Sequence, residues 1–170
     1  NYNYNASIIN YKKNFLSPAF KNYFPLILEY QSTIKKENSE NHFLDLGCGY
    51  APMAVAYLNY LKSHKENNLN FKYLGIDINK DAITWLKSVY FEKKEFNFLL
   101  HETQLEKDYL QSKSKQIPTL SDSDGAEVKY EIPSDFNYDI QWSMSYFTHL
   151  TPTSCDQVLN LIEKKGRKNS

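Results

Sequence analysis

The sequence predicts an α/β fold, a parallel sheet with crossover helices on its faces, and three observations carry that reading. Short apolar runs that read as strands alternate with amphipathic stretches of helical length from His42 onward. A glycine cluster, "DLGCGYAP", stands directly between the first strand and its helix. Two strands, at 71–77 and 95–102, end in or on an acid, which places Asp77 and Glu102 at one edge of the sheet together with the glycine turn. A chain of 170 residues has room for one domain with a single hydrophobic core.

The elements follow in order. Residues 1–16 are polar and tyrosine-rich without a clean period, and no element is assigned to them. In "SPAFKNYFPLILEYQSTIKK" Ser17 can cap a helix and Pro18 can take its first position, and Pro25 can bend it. "HFLDL" is the first strand, and "APMAVAYLNYLKSH" has the Ala, Val and Leu spacing of a helix packed on a sheet. "FKYLGID" is the second strand. Asn79 caps the following helix, which carries Ile83, Leu86 and Tyr90 on one face. "EFNFLLHE" is the third strand.

Residues 105–135 break the rhythm with charge, Ser and Pro, an excursion long enough to be either functional or disordered. "FNYDIQWSMSYF" is the fourth strand with its exit. In "THLTPTSCDQVLNLIEKKG" Thr151 can cap a final helix that opens on Pro152.

Composition narrows the function classes. Lys and Arg number 20, as do Asp and Glu, so no net field steers a polyanion and nucleic acid is an unlikely partner. No apolar run approaches the roughly 20 residues of a membrane span, and no targeting segment opens the chain, which reads as cytoplasmic. Cys48 and Cys155 form no metal-ligand pattern and read as small buried or half-buried fillers.

The glycine turn is where chemistry enters. A strand that ends in Asp45-Leu46-Gly47-Cys48-Gly49 and turns into a helix brings backbone N–H groups to the carboxyl edge of a parallel sheet, where open α/β folds bind ligands. Gly47 and Gly49 remove the Cβ atoms that would hold a ligand off. A tight turn with no ligand explains the glycines alone equally well, and Asp77 and Glu102 tilt the balance. Asp77 can accept both hydroxyls of a ribose, and Glu102 can accept from an adenine amino group. The dinucleotide fingerprint wants a small residue where Pro52 stands, so a nucleoside without a pyrophosphate fits better and a dehydrogenase ranks third.

"LDLGCGYAP" resembles the first motif of the class I S-adenosylmethionine-dependent methyltransferases, with Ala51 in place of a third glycine. "FNYDIQWSMSYFTHL" is similar to their fourth motif. The resemblance runs from about His42 to Ile162 and implies a Rossmann-like sheet of order 3-2-1-4, the first part of a seven-strand fold. It implies S-adenosylmethionine as cofactor, with Gly47, Cys48 and Gly49 flanking its methionine and ribose parts and Asp45 near its amino group. Asp77 and the adjoining Ile78 fall at the ribose, Glu102 and Thr103 at the adenine, and Ser143 to Ser145 near the reacting centre. Asp139 marks the start of the fourth strand.

The same resemblance divides the chain into an N-terminal helical cap, residues 1–40, and a methyltransferase domain, residues 41–170, incomplete at its C-terminus. Tyrosines 2, 4, 11, 23 and 30 could line a substrate pocket under such a cap. With only four strands supplied, the fourth becomes an edge open to self-association or to a partner carrying the missing part.

Methyl transfer from a sulfonium is an in-line displacement in which alignment is the main task, and the acceptor is a small molecule or sugar. A hydroxyl acceptor would gain from a base, for which His149, Tyr146 and His101 are the candidates. His149 also suits capping, and Trp142 suits the core. The alternative is a non-catalytic methyltransferase-like binding module, or a partial subunit that needs a partner.

Overall fold

The computed structural model describes residues 24–27, 29, 40–64, 71–101, 132–144, 146–150 and 152–166. Their elements are β1 (Asn41–Leu46), α1 (Pro52–His64), β2 (Phe71–Asp77), α2 (Lys80–Val89), β3 (Phe96–Leu100) and β4 (Ile140–Ser143). A 3-10 turn at Phe147–His149 then leads to α3 (Pro152–Lys165). All four strands pair in parallel, in the order β3-β2-β1-β4.

β1 lies between β2 and β4, and every one of its six residues is buried, the pattern of a strand covered on both faces. Alternation along the strands divides the core in two. On one face Phe43, Tyr73, Phe96, Phe98 and Ile140 pack with Met53, Ala54 and Tyr57 of α1 and with Ile83 and Leu86 of α2. This layer is aromatic, with Phe43 stacked on Tyr73 at 5.6 Å and Tyr90 edge-on to Phe98 at 5.2 Å. On the other face Leu44, Leu46, Leu74 and Ile76 meet Val158 of α3. Each fully buried Leu, Val or Phe contributes about 1.5–3 kcal/mol, so the sheet position of the site is set by both layers.

Local signals place the helix starts. Pro52 is the first residue of α1, where its missing N–H costs nothing. The Asn79 side chain accepts from the N–H groups of Asp81 and Ala82, both at 3.1 Å, as its N-cap role requires. Residues 24–27 are helical, with Phe24 edge-on to Tyr57 at 5.1 Å; most of the helix expected over 17–36 lies outside the described residues.

β4 is shorter than the sequence suggests. Regular pairing starts at Ile140, and Phe136 belongs to a turn closed by its N–H on the Pro133 carbonyl. The outer side of this strand is met at its start by the chain itself. The Tyr138 N–H donates to the Lys165 carbonyl at 3.1 Å, forming a parallel bridge between Tyr138 and Gly166, and the Tyr138 hydroxyl donates to the Ile162 carbonyl. No helix among the described residues is long and apolar enough to cross a membrane.

Candidate functional site

β1, β2 and β4 end together at the carboxyl edge of the sheet, and the glycine turn leaves β1 there. Gly47, Gly49 and Ala51 all have positive φ, at 72°, 53° and 49°. Alternate residues in the left-handed region fold the chain tightly enough to start α1 within five residues of β1. Ala51 adopts the glycine-like conformation at a cost of roughly 1–2 kcal/mol. Gly47 is further constrained by space, since a Cβ there would lie 2.9 Å from Cδ2 of Tyr146. Tyr146, at the exit of β4, therefore lays its ring directly against the turn.

The hydrogen bonds of the turn say what it can hold. The N–H groups of Gly47 and Cys48 both donate to the Ile76 carbonyl, at 2.8 and 3.1 Å, and that of Ala51 to the Cys48 carbonyl at 2.7 Å. The Gly49 N–H donates to Oδ2 of Asp77 at 2.7 Å, while Oδ1 of Asp77 accepts from the Asn79 N–H at 2.8 Å. A phosphate-binding turn aims its N–H groups at the ligand. Here these four are spent within the chain, which disfavours a pyrophosphate. Those two bonds fix the Asp77 carboxylate at the β2 tip, between the glycine turn and the start of α2.

Asp45 lies deeper, 2 % exposed, and its Oδ2 accepts from the Tyr73 hydroxyl. Burial pushes its carboxyl up to about 7; the Tyr73 hydrogen bond pulls the other way and the Asp77 charge adds to the rise. Burial likewise holds the Cys48 thiol and the Tyr73 phenol well above their ordinary values, with Asp45 adding to both. The space that lets Tyr73 reach Asp45 comes from Gly75, the β2 partner of Asp45. A Cβ at Gly75 would lie 2.9 Å from Phe98, 3.0 Å from the Cys48 sulfur and 3.1 Å from the Tyr73 ring.

No family model matches the chain. Among solved structures of similar fold is the plantazolicin methyltransferase BpumL in complex with a pentazolic desmethylPZN analog and SAH. It is 17% identical over 97% of this chain and 50% of its own, with a TM-score of 0.52. BpumL with a triazolic analog and SAH is 21% identical over 93% and 46%, also at 0.52. PKMT2 from Rickettsia typhi with AdoHcy is 17% identical over 76% of this chain and 20% of its own, at 0.46. The fold is that of the class I methyltransferases. The chain spans about half the length of BpumL and a fifth of PKMT2.

Within the methyltransferase fold the residues singled out from sequence separate into groups. Asp45, Gly47, Cys48, Gly49, Asp77 and Ile78 converge on the β1 and β2 tips. Ser143 ends β4 beside Leu46, and Tyr146 comes in over Gly47. Trp142 pairs with Asp45 and packs on the aromatic core. His101 follows β3, its N–H bonded to the Asp77 carbonyl at 2.9 Å. Asp139 lies at the opposite end of the sheet, where its carboxylate accepts from the His42 N–H at 2.8 Å. His149 falls in the 3-10 turn before α3, and Glu102, Thr103, Ser145 and Thr151 lie outside the described residues. Sequence reasoning passed over Tyr73, although Gly75 inside a strand was a readable sign of close approach at that point.

Proposed function

We propose that the chain binds S-adenosylmethionine at the carboxyl edge and acts in methyl transfer to a small-molecule or sugar acceptor. The observation that carries this reading is a pair of acids, Asp45 and Asp77, the second acting on the first, beside a turn that spends the N–H groups of Gly47, Cys48, Gly49 and Ala51 within the chain. Such a donor set suits a cationic nucleoside and offers little to a phosphate. The residues fit S-adenosylmethionine, which when bound supplies an electrophilic methyl group on a sulfonium.

Asp77, oriented by Gly49 and Asn79, accepts the ribose hydroxyls. Gly47 and Gly49 admit the ligand to the backbone, with Cys48 and Ile78 along the same edge. Asp45 supplies negative charge under the amino-acid end. Glu102 and Thr103 complete the adenine side, and residues 1–40 form the cap. Ser143 and Tyr146 wall the reacting centre at the exit of β4, where alignment of acceptor, carbon and sulfur does most of the catalytic work. For a hydroxyl acceptor, Tyr146 or His149 takes the proton. SAH in the BpumL complexes supports the cofactor assignment.

Thermal unfolding with added S-adenosylhomocysteine or NAD tests the reading. At a hundredfold excess over its dissociation constant a ligand stabilises the native state by about 2.7 kcal/mol. The homocysteine compound should raise Tm and NAD should not. A rise with NAD alone would overturn the proposal.

A further inference from the structure

Asp45 and Tyr73 form a buried pair beneath the glycine turn, 2 % and 1 % exposed. The groups that act on Asp45 are Tyr73 and Asp77 on β2, and Cys48 in the turn is acted on by both acids. Tyr90 at the end of α2 acts on Tyr73. Each of these neighbours is neutral or acidic. A carboxyl in such surroundings is held in its neutral form by desolvation until a cation arrives.

The Tyr73 hydroxyl is the one hydrogen-bond donor that the described side chains give to the Asp45 carboxyl. Gly75 is built around that contact, since any side chain there would strike the Tyr73 ring, the Cys48 sulfur and Phe98. Burial of a phenol in an aromatic layer demands a partner for its hydroxyl, and this layer provides Asp45.

Resting on the proposed cofactor site, we propose that Tyr73 is a positioning residue. It orients the Asp45 carboxyl, which burial keeps neutral, and eases the loss of that carboxyl's proton when a cationic nucleoside is seated on the turn. The balance is one Oδ–H bond broken and one proton released to solvent, with no change of oxidation state. Tyr73 touches no ligand in this scheme and works through the carboxyl. Its hydrogen bond favours the ionised form, so removing the hydroxyl makes the proton harder to expel.

Two measurements on the whole chain test this. The first needs no ligand: carboxyl carbon shifts of labelled aspartates, with Asp45→Asn to assign the signal, follow the titration of Asp45 in the wild type and in Tyr73→Phe. The expected midpoint lies near neutrality and rises in the phenylalanine variant. A midpoint in the ordinary carboxylate range, or one unmoved by Tyr73→Phe, overturns the inference whether or not any ligand binds.

The second is calorimetry with S-adenosylmethionine between pH 6 and 9, in buffers of different ionisation enthalpy. Proton release should approach one per ligand at pH 6 and vanish near pH 9. Affinity should rise up to about tenfold per pH unit through the transition. Tyr73→Phe should bind several-fold more weakly at pH 7 yet match the wild type at pH 9, which a merely damaged core would not do. Binding with a flat pH profile overturns the inference and leaves the cofactor site standing. No binding at any pH, with the Asp45 midpoint near neutrality, overturns the cofactor site and the proton expulsion that rests on it.

Discussion

The two ends of β1 carry polar groups of similar kind in opposite electrostatic settings. At the amino end His42 is 6 % exposed, with Nδ1 2.6 Å from the Asn137 carbonyl and Nε2 2.6 Å from the Glu40 carboxylate. Glu40 also pairs with Lys72 at 3.0 Å, and the His42 N–H donates to the Asp139 carboxylate at 2.8 Å while the Asp139 N–H donates to the His42 carbonyl at 2.9 Å. Glu40 and Asp139 thus each have a base or an N–H in contact. At the carboxyl end burial and the Asp77 charge raise the cost of ionising Asp45, against the Tyr73 hydrogen bond, while Asp77 accepts from two backbone N–H groups. The first arrangement compensates itself and serves the fold. In the second, no base among the described residues is seen acting on Asp45, and under the proposed function a cationic ligand supplies that charge.

Substitutions should separate the two ends. The largest effect is expected for Gly47→Ala, which combines a left-handed backbone with a 2.9 Å approach to Tyr146. A loss of about 3–4 kcal/mol in urea denaturation, together with loss of ligand binding, is predicted.

Next comes the pH dependence of stability, where the ends have opposite signs. The Asp45 carboxyl sits higher folded, at about 7, than its ordinary value of 3.8, so the folded state holds the extra proton. Its contribution is present below about 4 and is lost as pH rises through 7, at up to about 1.4 kcal/mol per pH unit. Asp45→Asn should flatten that fall. Glu40 is held below its ordinary value by the His42 hydrogen bond and by Lys72, so its contribution is present at neutral pH and is lost as pH falls through the acid range. Unfolding curves of wild type, Asp45→Asn and Glu40→Gln between pH 3 and 8 would show these opposed slopes.

His42→Ala should cost about 2 kcal/mol, because it removes a buried ring stacked on Phe136 and its two hydrogen bonds, while ligand affinity of the folded protein stays within about twofold. A large loss of affinity would break the division between the ends. The smallest effect belongs to Ala51→Gly. Relief of the left-handed alanine, about 1 kcal/mol, nearly cancels the loss of a fully buried methyl, about 0.8 kcal/mol, so stability should move by less than about 0.5 kcal/mol.

Much of this was legible in the chain. The strand order and the positions of Asp45, Gly47, Gly49 and Asp77 followed from alternation, the glycine turn and the likeness of "LDLGCGYAP" to a known motif. Asn79 announced α2 because an N-cap is a local interaction. Contacts across the sheet were not legible. Tyr73 and Asp45 stand 28 residues apart, Gly47 and Tyr146 about a hundred, and only strand register and the exit of β4 bring them together. The start of β4 was overread for a related reason. "FNYDI" looks extended by composition, but Asp139 and His42 fix where pairing starts.

The most direct test of the central claim is calorimetric titration of the purified chain at pH 8 with S-adenosylmethionine and S-adenosylhomocysteine, beside Asp77→Ala. The account predicts micromolar binding of both by the wild type and none by the variant. Failure of either compound to bind a wild-type chain that circular dichroism shows to be folded would contradict it.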